Sequence, residues 1–266
     1  MESCDVSFPR ARKRNRARIR GFAALIVLLA AGCGGDPATP APAAVGQEDL
    51  TLLPEATTFG TLADAAKDSG AAATGKVVHP KDDLVVYQSV GGKAVAKLPS
   101  TQVGSPTWVP VIAEQGQWAE ILLPARPNAS AGWVHLDPAR VEIAQNDYTV
   151  NVDRAAFSLE LTRSGERLGK WTIGTGKPEY PTPKGRAFLL ASIEETVNEY
   201  SPIVLPLSAH SESHETFGGG PGTVGIHTWP NDSYQGQANS DGCIRVPKAA
   251  LDELVKVPLG AIVNIV

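Results

Sequence analysis

Apolar and polar residues alternate in short runs along most of the chain beyond residue 75. DLVVYQ (83–88), KAVAKL (93–98), TWVPVIAEQ (107–115), WAEILL (118–123) and AGWVHL (131–136) are β-prone, and SVGG, SPT, QGQ and PARPNAS divide them. Turn signals at intervals of about eight to twelve residues predict a small antiparallel barrel over residues 76–145. A second strand-rich region begins at residue 146. YTVNVD (148–153), AFSLELTR (156–163) and LGKWTIGT (168–175) read as half-buried strands of a meander, with Ser164-Gly165-Glu166 as the turn between the last two. KPEYPTPKG (177–185) reads as rigid loop and RAFLLASI (186–193) as a further strand. PKAALDELVKV (247–257) predicts a short helix with Pro247 at its first position and Leu251, Leu254 and Val255 on one face. AIVNIV closes the chain as a buried strand. The expected fold is mainly β in two domains, residues 76–145 and 146–266, with a short C-terminal helix.

The first 75 residues follow a different pattern. RARKRNRARIR (10–20) is basic, and FAALIVLLAA (22–31) is an apolar run too short to span a bilayer. The pair reads as a signal peptide over 1–32. The small residues before Cys33 resemble the lipobox of bacterial lipoproteins, with Ala30 where leucine is usual, so Cys33 is the expected lipidation site and membrane anchor. GGDPATPAPAAVGQ (34–47) reads as a spacer. Residues 48–75 read as more linker, with a short helix allowed in LADAAKDSGAAATG (62–75). Removing residues 1–32 takes away seven bases and two acids, leaving 17 bases against 26 acids, a net −9 in place of −4. Such an acidic body is a poor nucleic-acid ligand, and the basic run serves export.

In the barrel region QWAEILLPARPNASAGWVHLD resembles the end of the small Src-homology-like barrels that precede catalytic domains in many bacterial wall enzymes. Trp108, Trp118 and Trp133 are expected in its core rather than on a sugar-binding face. His79 and His135 are expected to be structural. Asn128-Ala129-Ser130 matches a glycosylation sequon by accident of pattern.

The cysteines carry the chemistry. Cys4 lies in the signal segment and Cys33 at its end, so Cys243 is the one thiol of the folded body. Exported proteins normally pair their thiols, and a single leftover marks a reactive one. It lies in GTVGIHTWPNDSYQGQANSDGCIRV (222–246), sixteen positions after His227. A free thiol has a pKa of about 8.5 and needs a base, and histidine is the usual one. Gly242 permits a sharp turn before the thiol. The N–H groups of Gly242 and Cys243 are then candidates to hold the oxyanion of a tetrahedral intermediate. The pattern fits acyl transfer through a thioester.

Residues 147–266 resemble the L,D-transpeptidase catalytic domain of bacterial cell-wall enzymes. That motif is a histidine, a loop, then Ser/Thr-His-Gly-Cys, an aliphatic residue and Arg or Asn. It reads here as His227, then Ser240-Asp241-Gly242-Cys243-Ile244-Arg245. IGTGKPEYPTPKG (173–185), LSAHS (207–211) and FGGGPGTVGIH (217–227) are also similar to the family. The resemblance implies Cys243 as nucleophile, His227 as base, the Thr228 carbonyl as the group orienting the imidazole, and Ser240 and Arg245 as support. It places His210 and Gly225 along the substrate groove. Thr228 stands where Gly or Ser is common. Asp241 stands where a second histidine is usual, and an acid beside a thiol opposes thiolate formation. Pairing with Arg245 or with a loop N–H would neutralise it.

The implied reaction is peptidoglycan cross-linking at the outer face of the cytoplasmic membrane, in the service of wall biogenesis and cell shape. A stem tetrapeptide is the donor and a second stem's diamino acid the acceptor. Carbapenem-type inhibitors are expected to bind, and no cofactor or metal is required. Other readings stay open. An L,D-carboxypeptidase shares the acyl-enzyme, and a non-catalytic wall-binding lipoprotein shares the architecture. His210 and His214 are zinc candidates without a helix to align them. Asp232 lies in an oxygen-rich loop that lacks the EF-hand spacing of a calcium site.

Overall fold

In the computed structural model most of the N-terminal strands build one antiparallel sheet over a shared apolar core. The structure describes residues 47–196, 200–213, 215–216 and 220–266. The signal, spacer and lipidation expectations for residues 1–46, Cys33 among them, lie outside the described residues, as does His214. After helix α1 (Gln47–Leu52) come β1 (Ala66–Lys67), β2 (Lys76–Pro80), β3 (Leu84–Tyr87), β4 (Ala94–Leu98), β5 (Thr101–Gln102), β6 (Ser105–Pro106), β7 (Val109–Gln115), β8 (Trp118–Leu122), β9 (Ser130–His135) and β10 (Val141–Gln145). The strand order is β10-β2-β7-β8-β9-β3-β4, with β1 added on β9. Val141 of β10 and Leu98 of β4 come from opposite ends of that order yet belong to the same apolar core. The unbroken apolar run of β3 has a physical reason. Leu84 and Val86 point into this core, while Val85 and Tyr87 point the other way, to Trp118, Trp133, Leu50 and Leu53. Both faces of β3 are covered, so its sequence does not alternate.

The stretch before β2 is not a free linker. Ala56 and Leu62 enter the core, Thr58 is buried, and β1 pairs with β9 where a helix had been allowed. The small and polar side chains of residues 62–75 give a helix no apolar face to bury. Their main chain instead takes partners in the loop between β8 and β9, Leu62 N–H on Arg126 O and Asp68 N–H on Ala129 O.

The C-terminal half builds β11 (Tyr148–Asp153), β12 (Ser158–Arg163), β13 (Glu166–Thr172), β14 (Thr175–Gly176), β15 (Gly185–Phe188), β16 (Ile193–Glu194), β17 (Ile203–His210), β18 (Thr223–His227), β19 (Ala238–Ser240), β20 (Ile244–Arg245), helix α2 (Lys248–Leu254) and β21 (Ile262–Ile265). One sheet runs β13-β12-β11-β21-β15, another β16-β17-β18-β20, and β14 pairs with β19. Ser164 (φ 50°) and Gly165 (φ 81°) turn β12 into β13, two consecutive left-handed residues that suit a tight hairpin. Helix α2 begins after Pro247, which caps it. It buries Ala250, Leu251 and Leu254, while Val255 lies beyond its end and is exposed.

The two halves share packing. Phe188, Leu190 and Ile262 enter the core of the N-terminal sheet, whereas their neighbours Ala187, Leu189 and Val263 enter the second core. Polar contacts finish the seam. Asn128 donates to His210 O and accepts from His210 N–H, both at 2.8 Å, so the sequon asparagine brackets a strand end. Asp68 and Arg186 form a buried ion pair there, and Asn146 donates to Pro258 O and Leu259 O.

Candidate active site

The thiol sits on a turn that two hydroxyl groups hold in shape. Gly242 has φ 114°, a conformation that L side chains rarely adopt, and it lets the chain reverse between β19 and β20. Ser240 Oγ accepts the Gly242 N–H at 3.2 Å and donates to Cys243 O at 2.6 Å, closing the turn on itself. Thr182 Oγ1 donates to Gly242 O at 2.8 Å and accepts from Gly176 N–H at 2.9 Å, tying the turn to β14. The sequence expectation that Gly242 and Cys243 both present free N–H groups is therefore corrected. Ser240 uses the Gly242 donor, while the Cys243 N–H bonds to nothing among the described residues.

Strand register brings histidine and cysteine together. β18 and β20 run parallel, with Ile226 opposite Ile244 and His227 opposite Arg245. Cys243 is thus level with Gly225, and side chains of alternate residues share a face. With strands about 4.8 Å apart and a rise of about 3.3 Å per residue, the Cα atoms of Cys243 and His227 lie about 8 Å apart on a diagonal. Their side chains project to the same side. His227 Nδ1 lies 2.6 Å from Thr228 O. A carbonyl only accepts, so Nδ1 carries the proton and Nε2 is left unprotonated. Thr228 is itself fixed, its N–H donating to Ser201 Oγ at 3.0 Å. The ring of Tyr200 meets the imidazole edge-on at 4.8 Å.

The electrostatics favour neutral partners at rest. Burial lowers the His227 pKa from 6.5 to about 4, with the Thr228 carbonyl opposing and Arg245 assisting that fall. Burial raises the Cys243 pKa, while a backbone hydrogen bond from Gly225 and the charge of Arg245 pull it back. Such a pair suits general-base attack, in which the proton leaves sulfur as the new bond forms, better than a standing thiolate–imidazolium pair.

Arg245 lies over Trp229, its Cζ 3.7 Å from the ring centroid, and donates to Asn239 Oδ1 at 3.1 Å. It does not neutralise Asp241. That carboxylate instead pairs with Lys177, Oδ1 to Nζ 2.7 Å. The groove expectation for His210 is corrected as well. The ring is fully buried, with Nε2 2.7 Å from Thr58 O and 3.0 Å from Thr58 Oγ1, in the seam with the N-terminal segment. Gly225 is also buried, beneath the thiol. Asp232 opens a short 3-10 turn (Asp232–Tyr234), and no cluster of His, Cys, Asp and Glu fit to hold a metal occurs among the described residues.

Sequence reasoning missed Tyr200, Ser201, Thr182 and Lys177. Thr182 did leave a signal, since a threonine between Pro181 and Pro183 is a hydroxyl on a stiffened loop. Tyr200 and Ser201 left none, because only the fold brings them to Thr228.

Residues 147–265 match the model of the YkuD family, the L,D-transpeptidase catalytic domain. No curated protein matches the chain. Among solved structures, an L,D-transpeptidase from Stackebrandtia nassauensis is 19% identical over 46% of this chain and 57% of its own, with a TM-score of 0.34. This chain thus spans little more than half of that relative. An L,D-transpeptidase from Mycobacterium smegmatis is 17% identical over 71% of this chain and 96% of its own, with a TM-score of 0.38. The transpeptidase LdtMt1 in complex with imipenem is 16% identical over 78% of this chain and 89% of its own, also with a TM-score of 0.38.

Proposed function

We propose that this chain, whose residues 147–265 match the L,D-transpeptidase catalytic domain, cross-links peptidoglycan stem peptides through a thioester on Cys243. The observation that carries the proposal is the parallel register of β18 and β20, joined to the 2.6 Å contact of His227 Nδ1 with Thr228 O. Together they support a pairing of an unprotonated Nε2 with the thiol. His227 takes the thiol proton as sulfur attacks the carbonyl of the donor's diamino acid. The S–C bond forms, and the C–N bond to the terminal D-alanine breaks. The proton passes from Nε2 to the departing amine. A second stem's side-chain amine then attacks the thioester, gives up a proton to His227 and frees the thiol. The Cys243 N–H is the backbone donor available to the oxyanion. Export and a lipid tether at Cys33 belong to the same proposal and rest on the pattern of residues 10–35.

Intact mass spectrometry of the full chain with a carbapenem tests the proposal. One covalent adduct is expected, and none on Cys243→Ala. An equal adduct on Cys243→Ala, or none on the native chain, would overturn it. Muropeptide analysis after incubation with sacculi then shows whether diamino acid cross-links accumulate or stems are trimmed.

A further inference from the structure

The acid beside the thiol is matched by a lysine that the backbone places there. Lys177 N–H donates to Ser240 O at 2.9 Å, and the adjoining Gly176 pairs with Ser240 between β14 and β19. The main chain of Lys177 is thereby bolted to the residue that begins the thiol turn. Its carbonyl accepts the Tyr180 N–H at 2.9 Å, and its Nζ lies 4.8 Å from the centroid of the Tyr180 ring. The ammonium is thus held over an aromatic face and within 2.7 Å of Asp241 Oδ1. Both side chains are about two-fifths exposed, 37% and 41%, so the contact faces solvent at the mouth of the site.

We propose that Lys177 is a positioning residue that draws the Asp241 charge toward β14 and offsets it, so that the carboxylate suppresses ionisation of Cys243 less than it would alone. The proposal rests on Cys243 being the nucleophile, and on geometry particular to this chain. The charged and titratable groups around the thiol come from every neighbouring element. Arg245 on β20 favours the thiolate and Asp241 on the turn opposes it. His227 on β18 is neutral at rest. Tyr200 and Glu195 approach from the segment before β17, and Glu179 and Tyr180 lie near Lys177. Of the cations in this set, Lys177 is the one in contact with Asp241.

The test is the pH dependence of iodoacetamide alkylation, read on the Cys243 peptide of the full chain so that Cys4 and Cys33 do not contribute. Lys177→Met should slow alkylation at pH 7 by about three- to tenfold and move the profile to higher pH, by exposing the thiol to an uncompensated carboxylate. Lys177→Arg should keep the native profile. In an Asp241→Asn background Lys177→Met should change the rate by less than about twofold, because the charge that it offsets is gone. An unchanged profile for Lys177→Met, or an equal slowing in both backgrounds, would overturn the proposal. Alkylation needs no wall substrate, so failure of the transpeptidase reading would appear separately, as a missing carbapenem adduct with the Lys177–Asp241 coupling intact.

Discussion

Two histidines lie in one sheet, and their fates differ. His227 ends β18 and His210 ends the adjoining β17. Both are buried, both have a depressed pKa because burial disfavours the cation, and both present one ring nitrogen to a backbone carbonyl. In His227 the bonded atom is Nδ1, which leaves Nε2 unprotonated. In His210 the bonded atom is Nε2, and Nδ1 is sealed without a hydrogen-bond partner among the described residues. Burial and a carbonyl partner therefore do not make a base. What separates the two is which nitrogen the carbonyl takes and whether the other is sealed in the core.

Replacing each histidine tests that contrast most severely. His227→Gln should lower the rate of carbapenem adduct formation by about 10²–10⁴-fold, the usual loss of a positioned general base. His210→Gln should leave that rate within about twofold and show its cost in a denaturant melt instead. Equal losses of adduct rate in both would erase the distinction.

Acid titration sharpens it. The pKa of His227 is near 6.5 in the unfolded chain and about 4 in the fold, so between those values the unfolded chain binds the extra proton. The stabilising effect of keeping this ring neutral is whole above pH 6.5 and is lost as pH falls toward about 4, amounting to about 3 kcal/mol at most. His210 acts in the same direction. Stability profiles from pH 7 to 4 should flatten in His227→Gln, and a slope unchanged from the native one would refute the assignment.

The turn itself offers a smaller effect. Ser240→Ala strands a buried Gly242 N–H and should cost about 1–3 kcal/mol, with slower adduct formation as well. At the other end of the sheet, Thr58→Val removes hydroxyl contacts with His210 and Thr223 and should cost about 1 kcal/mol in a melt, with the alkylation profile of Cys243 unmoved.

Legibility in the sequence followed the same physical lines. Tyr148–Asp153 and its hairpin partner were readable because one face is wet and the other packed, which writes period two into the residues. β10 leaves almost no pattern in the sequence, because it is an edge strand and only Val141 of its five residues is buried. The thiol, the imidazole and the Thr228 carbonyl lie within one short motif and could be named together. Thr182, Lys177 and Ser201 act on that motif from remote parts of the chain, and no local spacing records it. Asp241 was the position whose chemistry looked wrong in isolation, because its partner lies 64 residues upstream, across β14.

The stretch RAFLLASI has a consequence for how this molecule comes apart. Successive side chains of one segment belong to different cores, Phe188 and Leu190 to one, Ala187 and Leu189 to the other. Neither core can melt without stripping a shared wall from its neighbour, so the described body should unfold in a single cooperative transition. A protease cut or a gene truncation at residue 146 would not free an independent enzyme. It would leave Phe188, Leu190 and Ile262 as a bare greasy face, and the Ser240–Cys243 turn would depend on a scaffold that had lost half of its support.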